Sequence, residues 1–139
     1  MHRMSDSLLT FGKKQIGWDE LIDLHLDAQK TVIMWWRHDK SEYLKEALAK
    51  GYITILCPRK PLYLDFIQYK EHKWGRQWDG FCPLEDIYNF PDKWYASWGI
   101  PESDLNNIIG MQANLWTELV QNTLRLDFMT FPRICALAE

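Results

Sequence analysis

Four short runs of apolar, β-favouring residues, at 15–18, 31–36, 52–57 and 108–115, most constrain what this chain can fold into. Each is continuously apolar and does not alternate, the pattern of strands buried on both faces of a parallel sheet. Parallel neighbours need crossovers, and segments with helical character lie where crossovers belong. Residues 19–23 open one, with acids in the first turn where the helix dipole favours them. Residues 41–50 form a second, with Ser41 as N-cap, Tyr43, Leu44, Ala47 and Leu48 on one face, and Gly51 as the stop. A shorter one covers 83–90. A last one, 124–139, holds Leu126, Met129, Ile134 and Leu137, with Pro132 either breaking it or starting its main part. The expected fold is α/β, a series of parallel βα repeats with about four strands.

The chain's 139 residues are enough for one ordinary domain. A net charge of −3 argues against a nucleic-acid partner held by phosphate contacts. No apolar run approaches the roughly 18 residues of a spanning helix, so no membrane partner is expected. Residues 1–6 do not read as a signal peptide, and localisation is left open. Three cysteines cannot all pair within the chain; Cys57 and Cys135 lie in apolar runs and read as buried thiols, whereas Cys82 could react. The four histidines have no ligand spacing, so neither a metal nor another cofactor is expected.

Aromatic residues mark the ends of these runs. Trp18-Asp19-Glu20, Tyr63-Leu64-Asp65 and Trp116-Thr117-Glu118 each set an aromatic two places before a carboxylate. In extended chain those two positions share a face. A flat ring beside an acceptor suits a sugar, whose C–H face stacks on the ring while its hydroxyls reach the acid. The run 31–36 ends in Trp35 and Trp36 without an acid; adjacent residues point oppositely, so Trp35 reads as core and Trp36 as facing the other way, and a register slip of one residue exchanges them. The stretch 68–107 is too long for a simple connection and carries Trp74, Trp78, Trp94 and Trp98. It reads equally well as a functional loop or as one packed by its own aromatics.

Taken in order, Ile16-Gly17-Trp18-Asp19-Glu20, Trp36-Arg37, Tyr63-Leu64-Asp65, Asn114-Leu115-Trp116-Thr117-Glu118 and Phe131-Pro132-Arg133 with Ala136-Leu137-Ala138-Glu139 resemble the family 20 glycoside hydrolases, the β-N-acetylhexosaminidases. The resemblance implies strands five to eight of a TIM (βα)8 barrel, entered within the helix before strand five and left within the helix after strand eight. The chain is thereby expected to be a half barrel truncated at both ends. The family's H-x-G-x-D-E block, which holds its catalytic Asp-Glu pair, does not occur in this sequence.

The resemblance also implies roles. The substrate's own 2-acetamido oxygen would attack the anomeric carbon, with the Glu of the absent pair as acid and base. Tyr63 would hold the acetamido oxygen in line, and Trp18 and Trp36 would wall its methyl group. Trp116 would lie beneath the sugar, while Asp65 and Glu118 would accept hydrogen bonds from its 4- and 6-hydroxyls. Asp19-Glu20, the one adjacent Asp-Glu pair here, reads as structural, two acids opening a helix, and Arg133 as an ion-paired structural arginine. The partners expected are glycans ending in N-acetylglucosamine or N-acetylgalactosamine. An isolated half barrel would leave open edges that a homodimer or higher oligomer would cover. The isolated chain is expected to be inactive. The other readings are a non-catalytic carbohydrate-binding module and a purely structural truncated product.

Overall fold

The computed structural model describes residues 1–139, which form two compact units. The first comprises Met1–Cys57 and Gly99–Met111; the second comprises Pro58–Trp98 and Gln112–Glu139.

The first unit holds the sheet. Helix α1 (His2–Thr10) leads to β1 (Gln15–Trp18), a 3-10 turn (Asp19–Leu24), β2 (Thr31–Trp35), α2 (Ser41–Ala49) and β3 (Ile53–Leu56). A second 3-10 turn (Glu102–Asn107) precedes β4 (Ile108–Met111). The strands lie in the order β1-β2-β3-β4 and all are parallel, so the expected α/β architecture of βα repeats is the one observed. Gln15 pairs with Thr31, Val32 with Ile53 and Thr54 with Ile108.

One side of this sheet is closed by Leu21 and Ile22 of the first turn, by Leu26 just after it and by Ala47 of α2, packed with Ile33 and Tyr52. Each fully buried aliphatic side chain of this kind contributes about 1.5–3 kcal/mol. Tyr52 donates its hydroxyl to the Leu26 carbonyl at 2.5 Å, so the phenol enters the core with its polar end satisfied. Trp35 is buried, as its register predicts.

Several boundaries differ from expectation. Strand β4 stops at Met111, four residues short of 115. The β3–β4 register shifts between Thr54 and Ile55, and Gln112 onward belongs to the other unit. Ser41 is the first helical residue of α2; Lys40 is the cap, without a capping side chain. Cys135 is exposed, whereas Cys57 and Cys82 are buried.

The second unit is built from short pieces: α3 (Arg59–Leu62), α4 (Leu84–Tyr88), α5 (Asp92–Trp98), a 3-10 turn (Thr117–Leu119), α6 (Thr123–Thr130) and α7 (Arg133–Ala138). Pro132 both separates α6 from α7 and caps the latter. The long aromatic stretch is in part packed by its own aromatics. Trp94 and Trp98 pack on Phe90 with ring centroids 6.2 and 5.9 Å away, while Trp74 and Trp78 are 61% and 68% exposed.

With no long strand to satisfy its backbone, this unit relies on Arg133. Its buried guanidinium donates to the carbonyls of Phe66 and Cys82 at 3.1 Å, Leu64 at 2.5 Å and Met129 at 2.6 Å. Arg133 is structural, as expected, but it holds four carbonyls instead of an acid. Burial depresses its pKa from the usual arginine value to about 10, so it stays charged at neutral pH.

Candidate functional site

In the second unit, the segment from Leu62 to Asp65 is held on two sides. Asn114 donates its N–H to the Leu62 carbonyl (2.9 Å) and accepts from the Leu64 N–H (2.7 Å), a one-step parallel bridge pairing Tyr63 with Asn114. From beneath, Arg133 takes the Leu64 and Phe66 carbonyls. Leu64 and Asp65 are the central residues of a turn in which the Phe66 N–H donates to the Tyr63 carbonyl (3.3 Å), and Tyr63, Leu64 and Asp65 are all buried.

The same bridge carries Trp116 to Tyr63. Their ring centroids are 6.0 Å apart, with planes tilted by 59°. Tyr63 and Asp65 are buried, whereas Trp116 is 38% exposed. Glu118 follows in the exposed 3-10 turn that begins at Thr117.

Asp65 is unevenly satisfied. Arg76 Nε lies 2.7 Å from Oδ2, and the Arg76 N–H donates to the Asp65 carbonyl at 2.8 Å. Oδ1 is buried without a well-aligned hydrogen-bond partner. Desolvation raises the carboxyl pKa above the ordinary value, opposed by Arg76 and by the backbone N–H groups of Asp65 and Trp116. Gly75 makes this packing possible: its φ is +148°, and a Cβ there would stand 3.1 Å from the Asp65 carbonyl oxygen and 3.0 Å from Met129 Cε.

In the first unit, Trp18 ends β1 and Trp36 follows β2; both are half-buried. Glu20 accepts from Trp36 Nε1 at 3.1 Å, which fixes the indole's orientation. Asp19 has no exposed surface. It receives the N–H groups of Trp36 (3.3 Å) and Arg37 (3.4 Å) and the Arg37 Nε–H (2.8 Å). Burial pushes its pKa up to about 6, outweighing the attraction of Arg37. Its carboxyl group is fully engaged with the end of β2, and neither acid of the pair is placed as a free proton donor.

Sequence reasoning missed Arg37 and Arg76 as the partners of Asp19 and Asp65. The signal available was charge: each is a basic residue beside a tryptophan-containing stretch that follows a strand-end acid. Cys82 is not reactive in this fold, since burial raises its thiol pKa to about 12. No three His, Cys, Asp or Glu side chains gather in a metal-binding arrangement.

Known proteins resemble the chain along its whole length. The model of glycosyl hydrolase family 20, catalytic domain, matches residues 1–139. A β-hexosaminidase of Vibrio furnissii is 34% identical over 134 residues, covering 94% of this chain and 21% of that protein. A β-N-acetylhexosaminidase of Cellulomonas fimi is 31% identical, covering 92% and 25%. The solved structure of a GH20 exo β-N-acetylglucosaminidase from Vibrio harveyi, in complex with N-acetylglucosamine, superposes with a TM-score of 0.82 at 32% identity, covering 99% of this chain and 21% of that one. The chain thus spans about a fifth to a quarter of the length of the curated relatives it matches.

Proposed function

Because the chain belongs to glycosyl hydrolase family 20, we propose that it supplies the sugar-recognising part of a glycosidase that removes terminal N-acetylhexosamine from glycans by a retaining, substrate-assisted route. The observation that carries this reading is the Asp65 carboxylate, buried and gripped at one oxygen by Arg76, beside the Tyr63–Trp116 ring pair. A pyranose needs that combination: an apolar face to cover and an acceptor for a hydroxyl. A hydrogen bond to an ionised carboxylate contributes about 1.5–3 kcal/mol.

In this reading Asp65 and Glu118 accept from the 4- and 6-hydroxyls, and Trp116 lies under the ring. Tyr63 donates its hydroxyl to the 2-acetamido oxygen and holds it for in-line attack, a positioning effect on catalysis. For the first unit the corresponding assignment is that the Trp18 and Trp36 indoles face the acetamido methyl. Proton transfer is assigned to none of these residues. Asp19 and Glu20 are bonded to the Trp36–Arg37 backbone and indole, and the sequence lacks the H-x-G-x-D-E block.

The chain alone is therefore expected to hydrolyse no chromogenic N-acetylglucosaminide. Turnover that survives Tyr63→Phe with Glu118→Gln, yet disappears when Asp19 and Glu20 are neutralised, would reverse these assignments.

Self-association is part of the proposal. Strands β1 and β4 are the sheet edges, and each carries an exposed isoleucine, Ile16 and Ile109. Unpaired parallel edges with apolar side chains favour pairing with a second copy. Sedimentation velocity on the isolated chain is expected to give a dimer or larger; a monomer at micromolar concentration contradicts this.

A further inference from the structure

Asp19 and Glu20 are successive residues of the 3-10 turn that follows β1, and both reach the same tryptophan, Trp36, just past the end of β2. Asp19 Oδ2 accepts the Trp36 backbone N–H at 3.3 Å, and the His38 N–H donates to the Trp36 carbonyl at 2.9 Å. Both Glu20 oxygens accept from the indole N–H, at 3.1 and 3.3 Å. One acid thus takes the main chain of Trp36, and its neighbour takes the ring.

The two contacts have different consequences. Asp19 is buried and also binds the Arg37 N–H and Nε–H, while the Arg37 guanidinium lies over the Tyr43 ring, 3.7 Å from its centroid. That cluster anchors the chain where β2 ends. A backbone anchor does not set a side-chain torsion, however, and χ2 of tryptophan is broad and roughly two-fold. Half a turn about that bond exchanges the N–H side of the indole for its benzene side. Trp36 is only half-buried, so packing covers part of the ring and the hydrogen bond has a share in choosing its pose. Glu20 accepts from the N–H side alone, and a carboxylate acceptor makes a stronger bond than a neutral one.

We propose that Glu20 is a positioning residue that sets specificity: by holding the Trp36 indole N–H it fixes the ring surface offered to the acetamido methyl, and with it the preference for an N-acetylated sugar over its 2-hydroxyl counterpart. Glu20 touches no reacting atom in this role. The proposal rests on the functional reading above, in which the Trp36 indole faces that methyl; the hydrogen bond stands on the geometry alone. A methyl group packed on a ring is recognised by shape. A ring divided between two poses presents the complementary surface for only a fraction of the time, and apparent affinity falls by that fraction. A sugar without the acetyl group has no methyl to place there and is indifferent to the pose.

The test is an NMR titration of the full chain with N-acetylglucosamine and with glucose, applied to wild type, Glu20→Ala, Glu20→Gln and Asp65→Asn. Far-UV circular dichroism checks that each variant folds. Wild type is expected to favour N-acetylglucosamine. Glu20→Ala is expected to reduce that preference about threefold or more, through weaker binding of N-acetylglucosamine alone. Glu20→Gln keeps an acceptor and is expected to restore it. In wild type the Trp36 indole N–H is expected to exchange with solvent more slowly than that of Trp74, which is 61% exposed; equal exchange overturns the proposal whatever the variants do. A preference unchanged in Glu20→Ala also overturns it, as does equal weakening of both sugars, the mark of a structural role, or a loss that Glu20→Gln does not restore. If Asp65→Asn leaves both affinities unchanged while the Glu20 effects hold, the functional reading fails at Asp65 and this assignment stands. If Asp65→Asn weakens both sugars and Glu20→Ala changes nothing, the assignment fails and the reading stands. A wild-type chain that binds neither sugar, or binds them equally, overturns both.

Discussion

The two units solve the same problem with opposite charges. In the first, a regular parallel ladder satisfies the backbone, and one buried anion, Asp19, gathers the donors left where β2 ends. In the second there is no ladder beyond a single bridge, and one buried cation, Arg133, gathers four carbonyls from three separate segments. The difference lies in how much depends on the charged group. Asp19 trims a structure that hydrogen bonds and aliphatic packing already define; Arg133 replaces the ladder itself. It also holds the turn that carries Tyr63 and Asp65, through the carbonyls of Leu64 and Phe66.

The largest effect is accordingly expected at Arg133. Arg133→Met keeps volume but leaves four buried acceptors unpaired, and is expected to cost about 3–5 kcal/mol. Hydrogen exchange should show the loss at the amides of Leu64, Ile67 and Cys82. Unchanged protection there would mean the carbonyls find other donors.

Asp19→Ala is expected to cost less, about 2 kcal/mol by urea denaturation at pH 7, because ionised Asp19 is itself held at a desolvation cost that offsets part of its bonds. A loss as large as that of Arg133→Met would erase the contrast between the units.

The pH dependence sharpens the same point. The pKa of Asp19 rises from 3.8 unfolded to about 6 folded. Between those values the folded state holds a proton that the unfolded state has lost, so this group's contribution is greatest below pH 4 and declines as pH rises through 6. Asp19→Asn does not titrate. Relative to wild type its stability should improve by about 2–3 kcal/mol between pH 4 and pH 7; parallel stability curves would show that Arg37 holds the acid ionised throughout.

A smaller change is expected from Gly75→Ala. The new methyl group meets Asp65 O and Met129 Cε at a backbone angle that disfavours side chains, and a loss of about 1 kcal/mol or more should appear in thermal melts. Met129 could yield, but the carbonyl of Asp65 cannot without moving the carboxylate.

The sequence made the first unit legible because its strands announce themselves. Continuous apolar runs placed β1 to the residue and β2 and β3 to within one at each end. Run 108–115 stayed apolar beyond the end of its ladder, and composition alone does not mark where pairing stops. Helix α1 carries no readable stripe, since it buries Ser5 while exposing Met4 and Leu9. The second unit was less legible because its order comes from one arginine reaching across as many as 69 residues of sequence, to Leu64. No period encodes such a contact. The motif order that pointed to the family located Tyr63, Asp65 and Trp116 without revealing that Arg76, Asn114 and Arg133 hold them.

The central claim is that Asp65, beside Tyr63 and Trp116, recognises an N-acetylhexosamine. Its most direct test is an isothermal and NMR titration of the chain with N-acetylglucosamine, comparing wild type with Asp65→Asn. Saturable binding that shifts the Trp116 indole, weakened about tenfold or more by Asp65→Asn in a folded variant, is the expected result. No saturable binding, or binding that Asp65→Asn leaves unchanged, would contradict the account.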